Sequence, residues 1–129
     1  MKKLTIWLTA IAMAGALTGC ARTAPITQVH TTIGTGHTQD QVKKAILKAG
    51  AERQWIMAEA GPGLIKARQQ SRGHDAVISI PYSATGYDIK YADSRNLRAG
   101  GGKIHKAYNR WVRNLDKDIQ LNLSAGANL

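Results

Sequence analysis

The chain has 129 residues, with 18 lysines and arginines against 8 aspartates and glutamates, a formal net charge of +10 at pH 7. That length holds one domain with a single core rather than several. Its one cysteine excludes a disulfide framework, because the thiol has no partner within the chain.

The N-terminus opens Met1-Lys2-Lys3 and then runs apolar from Leu4 to Ala16, apart from Thr5 and Thr9. As a helix that run is about 20 Å long. A bilayer hydrocarbon core is roughly 30 Å thick, so the run is too short to span it stably. A positive start, a short apolar core and small residues at its end describe an export signal over residues 1–19.

Leu17-Thr18-Gly19-Cys20 ends that signal. The stretch resembles the lipobox of bacterial lipoproteins. The resemblance implies cleavage before Cys20, a diacylglycerol on its thiol and acylation of the new amine. Each buried methylene adds roughly 0.8 kcal/mol, so more than one acyl chain anchors stably. Cys20 is then a lipidated thioether, and no cofactor beyond that covalent lipid is expected. Ala21 stands where an aspartate would mark retention at the inner membrane. The resemblance therefore implies the outer membrane, facing the periplasm.

The signal carries two of the basic residues and none of the acids, so the charge excess belongs to the exported domain. A basic periplasmic surface suits anionic lipid, lipopolysaccharide, peptidoglycan or an acidic protein partner. A solvated basic face with no ligand fits as well. Export removes nucleic acid as a partner.

Residues 20–37 combine the lipidated cysteine with a flexible tether, rich in Thr and Gly, holding Pro25 and lacking a helical stripe. Within it ITQVHTTI alternates weakly, which allows a short edge strand. Thr38-Gln39-Asp40-Gln41 has the form of a capping box. Val42, Ala45, Ile46 and Ala49 follow at helical spacing, which predicts a helix over 39–49 with Gly50 just past its end.

Four alternating segments come next, around Trp55–Glu59, Leu64–Gln70, Ala76–Tyr82 and Tyr87–Tyr91. Gly61-Pro62-Gly63, Ser71-Arg72-Gly73 and Ser83-Ala84-Thr85-Gly86 separate them, the pattern of an antiparallel meander. Pro81 lacks an amide and marks where the third strand leaves the ladder. After the glycine-rich loop 95–103, Ile104, Tyr108, Trp111, Leu115 and Ile119 trace one stripe of a second helix. The tail 122–129 reads as frayed. The expectation is an α+β two-layer sandwich over 38–121. It is a four-stranded antiparallel meander with two helices on one face, in the order α-β-β-β-β-α, with Trp55 and Trp111 as core anchors.

Chemistry is sparse. His74, Ser94 and His105, with Asp75 or Asp93, allow a hydrolase on paper, but no G-x-S-x-G turn surrounds a strand-end serine. His30, His37, His74 and His105 lack the paired short spacing of a metal site. Gly100-Gly101-Gly102-Lys103 before a helix reads first as a flexible hairpin-like connector, and otherwise offers free amides and a positive dipole end, though not a P-loop. Arg95, Arg98, Lys103 and Lys106 surround it and form the candidate anion-binding set.

The segments HDAVISIPYSATGYDIKYADSRNL and IHKAYNRWVRNLDKDI resemble a family of short bacterial lipoproteins of unassigned function. That resemblance implies a shared structural or binding corner at Asp93, Ser94, Tyr108 and Asn109. The function expected is a membrane-anchored, non-enzymatic envelope module that binds an anionic component or a partner protein. The alternatives are an envelope hydrolase using His74, Ser94 or His105, and an assembly subunit pairing through a strand edge.

Overall fold

The computed structural model describes residues 22–125. The signal over 1–19, Cys20 and residues 126–129 lie outside the described residues. The elements in chain order are β1 (Thr23–Pro25), β2 (Val29–Thr32), α1 (Gln39–Glu52), β3 (Ile56–Glu59), β4 (Leu64–Ser71), β5 (His74–Ser83), β6 (Gly86–Arg95), β7 (Lys103–His105) and α2 (Lys106–Ser124).

The fold is α+β. One sheet has five strands in the order β2-β6-β5-β4-β3, and a second, two-stranded sheet joins β1 to β7. Every pairing is antiparallel. Neighbours from β3 to β6 follow chain order, so the expected meander is present. Ile65, Ala67, Ala76, Ile78, Ile80, Tyr87 and Ile89 alternate along these strands and are buried on one face. Val42, Ala45, Ile46 and Ala49 of α1 and Tyr108, Val112, Leu115 and Ile119 of α2 complete the same cluster. Both helices therefore cover one sheet face and leave the other open. Each fully buried isoleucine contributes about 1.5–3 kcal/mol relative to exposure.

The stretch read as a tether is ordered from Arg22 onward. Val29 to Thr32 pair with Ile89 to Gly86 and add a fifth strand to the meander. Thr23 to Pro25 pair with His105 to Lys103. β2 is the short edge strand that the weak alternation of ITQVHTTI allows, whereas β1 is decided by a partner far along the chain and local composition hides it.

The Thr38 capping box forms as the sequence predicts: Thr38 Oγ1 accepts the Gln41 amide and the Gln41 side chain accepts the Thr38 amide. α1 nevertheless runs past Gly50 to Glu52. Gly50 is buried inside the helix, and an added Cβ would sit 2.3 Å from Met57 Sδ. Its missing side chain makes room for β3. The helix stops in a Schellman arrangement, with Trp55 N donating to Gly50 O at 2.9 Å and Gln54 N to Ala51 O at 3.1 Å. Gln54 takes the left-handed conformation there, at φ 65°.

Three further expectations change. Pro81 interrupts pairing with β6, which skips Ile80 and Pro81, yet β5 continues to Ser83 because Tyr82 and Ser83 pair again with Tyr87 and Gly86, and Tyr82 N donates to Gly63 O. Ile104 belongs to β7, so α2 starts two residues later than its stripe suggests. At the other end α2 extends to Ser124, with Leu123 buried, so residues 122–124 are helical rather than frayed. Trp55 is buried and meets the half-buried Trp111 edge-on, with ring centroids 6.5 Å apart.

Candidate functional site

The β4–β5 turn, the end of β6, the β7 hairpin and the first turn of α2 meet at one end of the domain. Backbone bonds fix the meeting. His105 N donates to Leu97 O at 2.7 Å, and Lys106 N donates to Arg22 O at 3.1 Å. Side chains lock the rest. His74 Nδ1 lies 2.7 Å from Asn96 O, and Asn96 Nδ2 donates to Gly73 O at 2.8 Å. The His74 and His105 rings are 5.5 Å apart, centroid to centroid.

This junction gathers exposed cations from separate parts of the chain. Arg22 precedes β1, Arg72 tips the β4–β5 turn, Arg98 follows β6, and Lys106 and Arg110 share a face of α2 at i, i+4 spacing. None of these residues belongs to an ion pair among the described residues, which pair His30 with Asp88, Lys43 with Asp40 and Glu59, Lys44 with Asp40, Arg53 with Asp118, and Arg68 with Asp75. Burial holds the His105 imidazole below its ordinary pKa, and the charges of His74, Arg98, Arg22 and Arg110 push it further down.

Two of the arginines also sit in the left-handed region, Arg72 at φ 53° and Arg98 at φ 55°. That conformation favours glycine or asparagine, and costs other residues about 1 kcal/mol. Next to Arg72 a cleft of about 380 Å³ is lined by Gln70 to Asp75 with Arg95 and Asn96.

The expected anion-binding set is regrouped. Arg98 and Lys106 belong to the junction. Arg95 instead stands near Asp75, whose carboxyl is held below its usual range by the Arg68 guanidinium first, with Gln70 and Arg95 adding. Lys103 closes a tight turn with Gly100, each amide donating to the other's carbonyl at 3.0 Å. Gly101 and Gly102 both have positive φ, as a two-residue hairpin turn requires. The glycines therefore serve a hairpin, and β7 separates them from the N-terminus of α2. The loop is thus the hairpin connector, and a glycine cradle at the helix start is not formed.

The catalytic alternative finds no relay. His105 Nδ1 accepts the Ala107 amide at 3.0 Å and so caps α2. Ser94 Oγ is 2.8 Å from the Tyr91 hydroxyl, and Asp75 is held by Arg68. A β-bulge in β6, where Ala92 is the extra residue opposite the Val77–Ile78 step of β5, shifts the register, pairs Ala76 with Ser94 and turns Ser94 toward the helix side. No nucleophile–base contact links His74, Ser94 and His105 among the described residues. No group of three or more His, Cys, Asp or Glu side chains gathers there with metal-site geometry either.

The corner inferred from Asp93, Ser94, Tyr108 and Asn109 separates into three roles. Asp93 is exposed, and its Oδ1 accepts the Ser94 amide at 2.8 Å. Ser94 reaches Tyr108 only through Tyr91, whose ring meets the Tyr108 ring edge-on at 5.7 Å. Asn109 turns to the N-terminal strands, donating to Pro25 O and accepting from Thr27 N, both at 2.9 Å.

Sequence reasoning missed Arg22, Arg72 and Arg110. Arg22 lies in the stretch that reads as a tether, and Arg110 stands off the apolar stripe of the second helix. The Arg72-Gly73 pair between two alternating strands does carry the signal of a two-residue hairpin turn with positive φ at both positions. No family model, curated protein or solved structure matches this chain.

Proposed function

We propose that this chain is a lipid-anchored domain of the cell envelope that binds an anionic component and catalyses no reaction. The observation that carries this reading is the convergence of Arg22, Arg72, Arg98, Lys106 and Arg110 on one end, with no carboxylate bound to any of them among the described residues. Unneutralised surface charge of one sign costs stability through repulsion and attracts ligands of the other sign. The candidate catalytic groups are meanwhile committed to a helix cap, a hairpin clamp and a tyrosine contact.

The lipobox supplies the anchor in this reading. Its test is the intact mass of the protein purified from membranes, together with fractionation of a Cys20→Ala variant. A mass increment for acyl chains and release of the variant from the membrane support the anchor. A bare Cys20 thiol overturns it. Hydrolysis of ester or amide substrates that is lost in His74→Ala or His105→Ala would overturn the non-catalytic part.

A second reading is favoured by β3, which forms one edge of the five-stranded sheet and holds Ile56 62% exposed. An open edge beside an exposed isoleucine can pair with another strand. Concentration-dependent oligomers that Ile56→Lys abolishes would support assembly through that edge.

A further inference from the structure

We infer that the basic end of the domain lies flat on the anionic phospholipid headgroups of the same leaflet that holds the anchor, so that the fold stands upright on its membrane. The inference rests on the lipid anchor proposed above, and it names the ligand and the surface.

Chain reach selects the leaflet. One residue, Ala21, separates Cys20 from Arg22, so their α-carbons are two peptide steps and at most about 7 Å apart. Arg22 itself is not on a leash. Its carbonyl accepts the Lys106 amide, and the next residue, Thr23, pairs with His105. An acylated Cys20 therefore brings the first turn of α2 to the headgroups with almost no slack. The cations that surround that turn come within a screening length, about 8–10 Å in physiological salt, of the lipid phosphates. Anionic polymers farther from the leaflet lie beyond this reach.

Orientation follows from the strands. β4, β5 and β6 all have one end at the junction. β5 spans His74 to Ser83, about 33 Å at the usual rise per residue. The Ser83–Gly86 turn therefore stands several screening lengths from the headgroups. Its neighbourhood includes Asp88, bonded to His30, rather than a cluster of free cations. Acyl chains hold the protein in the membrane, and the basic end sets which way it faces. The open face of the five-stranded sheet is then presented sideways, accessible from the aqueous phase.

The test is hydrogen exchange on the full mature protein, reconstituted through its own anchor into two kinds of vesicle. One kind is phosphatidylcholine alone and the other contains phosphatidylglycerol. We expect exchange in segments 70–75 and 97–106 to slow at least fivefold in the anionic vesicles, with the Ser83–Gly86 turn unchanged. Sodium chloride at about 0.5 M, where the screening length falls to a few ångströms, should erase the difference. So should the combined variant Arg72→Gln, Arg98→Gln, Arg110→Gln, whose sites are all exposed. The salt arm needs no variant and stands if the variant misfolds. Equal exchange in both vesicles, or slowing at the Ser83–Gly86 turn instead, overturns the inference. The intact mass of the same sample separates the two readings. A bare Cys20 overturns both, whereas lipid present with equal exchange overturns the orientation alone.

Discussion

Asn109 accepts the backbone amide of Thr27 at 2.9 Å across 82 positions of sequence, and its Nδ2 donates to Pro25 O at the same distance. Only 3% of Asn109 is exposed. One side chain thus satisfies a main-chain carbonyl at the end of β1 and a main-chain amide on the segment that leads to β2. In Asn109→Ala both lose their partner in a half-buried site. A buried polar group left without a bond costs about 1–3 kcal/mol, so the variant should lose about 3 kcal/mol in chemical denaturation. Exchange of the β1 and β2 amides should rise more than that of β5. A variant as stable as the native chain would remove Asn109 from any structural role.

The contrast between α1 and the N-terminal strands shows what the sequence makes legible. The α1 capping box and the alternation through β4, β5 and β6 are local patterns, and a reader of the sequence finds them. β2 shows only a weak alternation and β1 shows none, because Thr23 becomes a strand residue only through His105 and Val29 is fixed by Ile89. Ile104 misleads for a related reason. Its spacing to Tyr108 suits a helix, yet pairing with Ala24 places it in β7. The candidate site divides the same way. Each arginine is visible in the sequence, but the meeting of Arg22, Arg72, Arg98 and Arg110 is a product of tertiary packing.

Tyr108 is fully buried, and its hydroxyl has no hydrogen-bond partner among the described residues. Burial pushes its pKa far up, with Tyr91 adding. A hydroxyl in that position carries its desolvation cost with no return. Tyr108→Phe should therefore keep the edge-on contact with Tyr91 and match or exceed native stability, by about 1 kcal/mol at most. Thermal unfolding checks this. A clear loss of stability would mean that the hydroxyl has a partner.

The left-handed residues allow stability and binding to be separated. Gln54 follows α1 at φ 65°, and Arg72 sits in its turn at φ 53°. Gln54→Gly and Arg72→Asn each relieve a conformation that costs about 1 kcal/mol, so both should raise the melting temperature by a few degrees. Only Arg72→Asn should weaken the response to anionic vesicles, because Gln54 lies outside the basic junction. If Arg72→Asn gains stability and leaves the vesicle response intact, Arg72 takes no part in the docking surface.

His105 couples the fold to pH. Its Nδ1 accepts the Ala107 amide, which requires that nitrogen to be unprotonated. Burial lowers its pKa first, and the charges of His74, Arg98, Arg22 and Arg110 lower it further. The folded chain therefore takes up this proton less readily than the unfolded one. The stabilisation is complete above the unfolded histidine value of about 6.5 and declines as pH falls through the lower folded value. The Asp75 carboxyl, held low chiefly by Arg68, acts in a separate window below about pH 4. The melting temperature should thus hold level near neutral pH and fall as the pH drops below about 6.5. Asparagine at the same position can accept the Ala107 amide without titrating. His105→Asn should preserve α2 and flatten the decline, and an unchanged slope in that variant would place the pH dependence elsewhere.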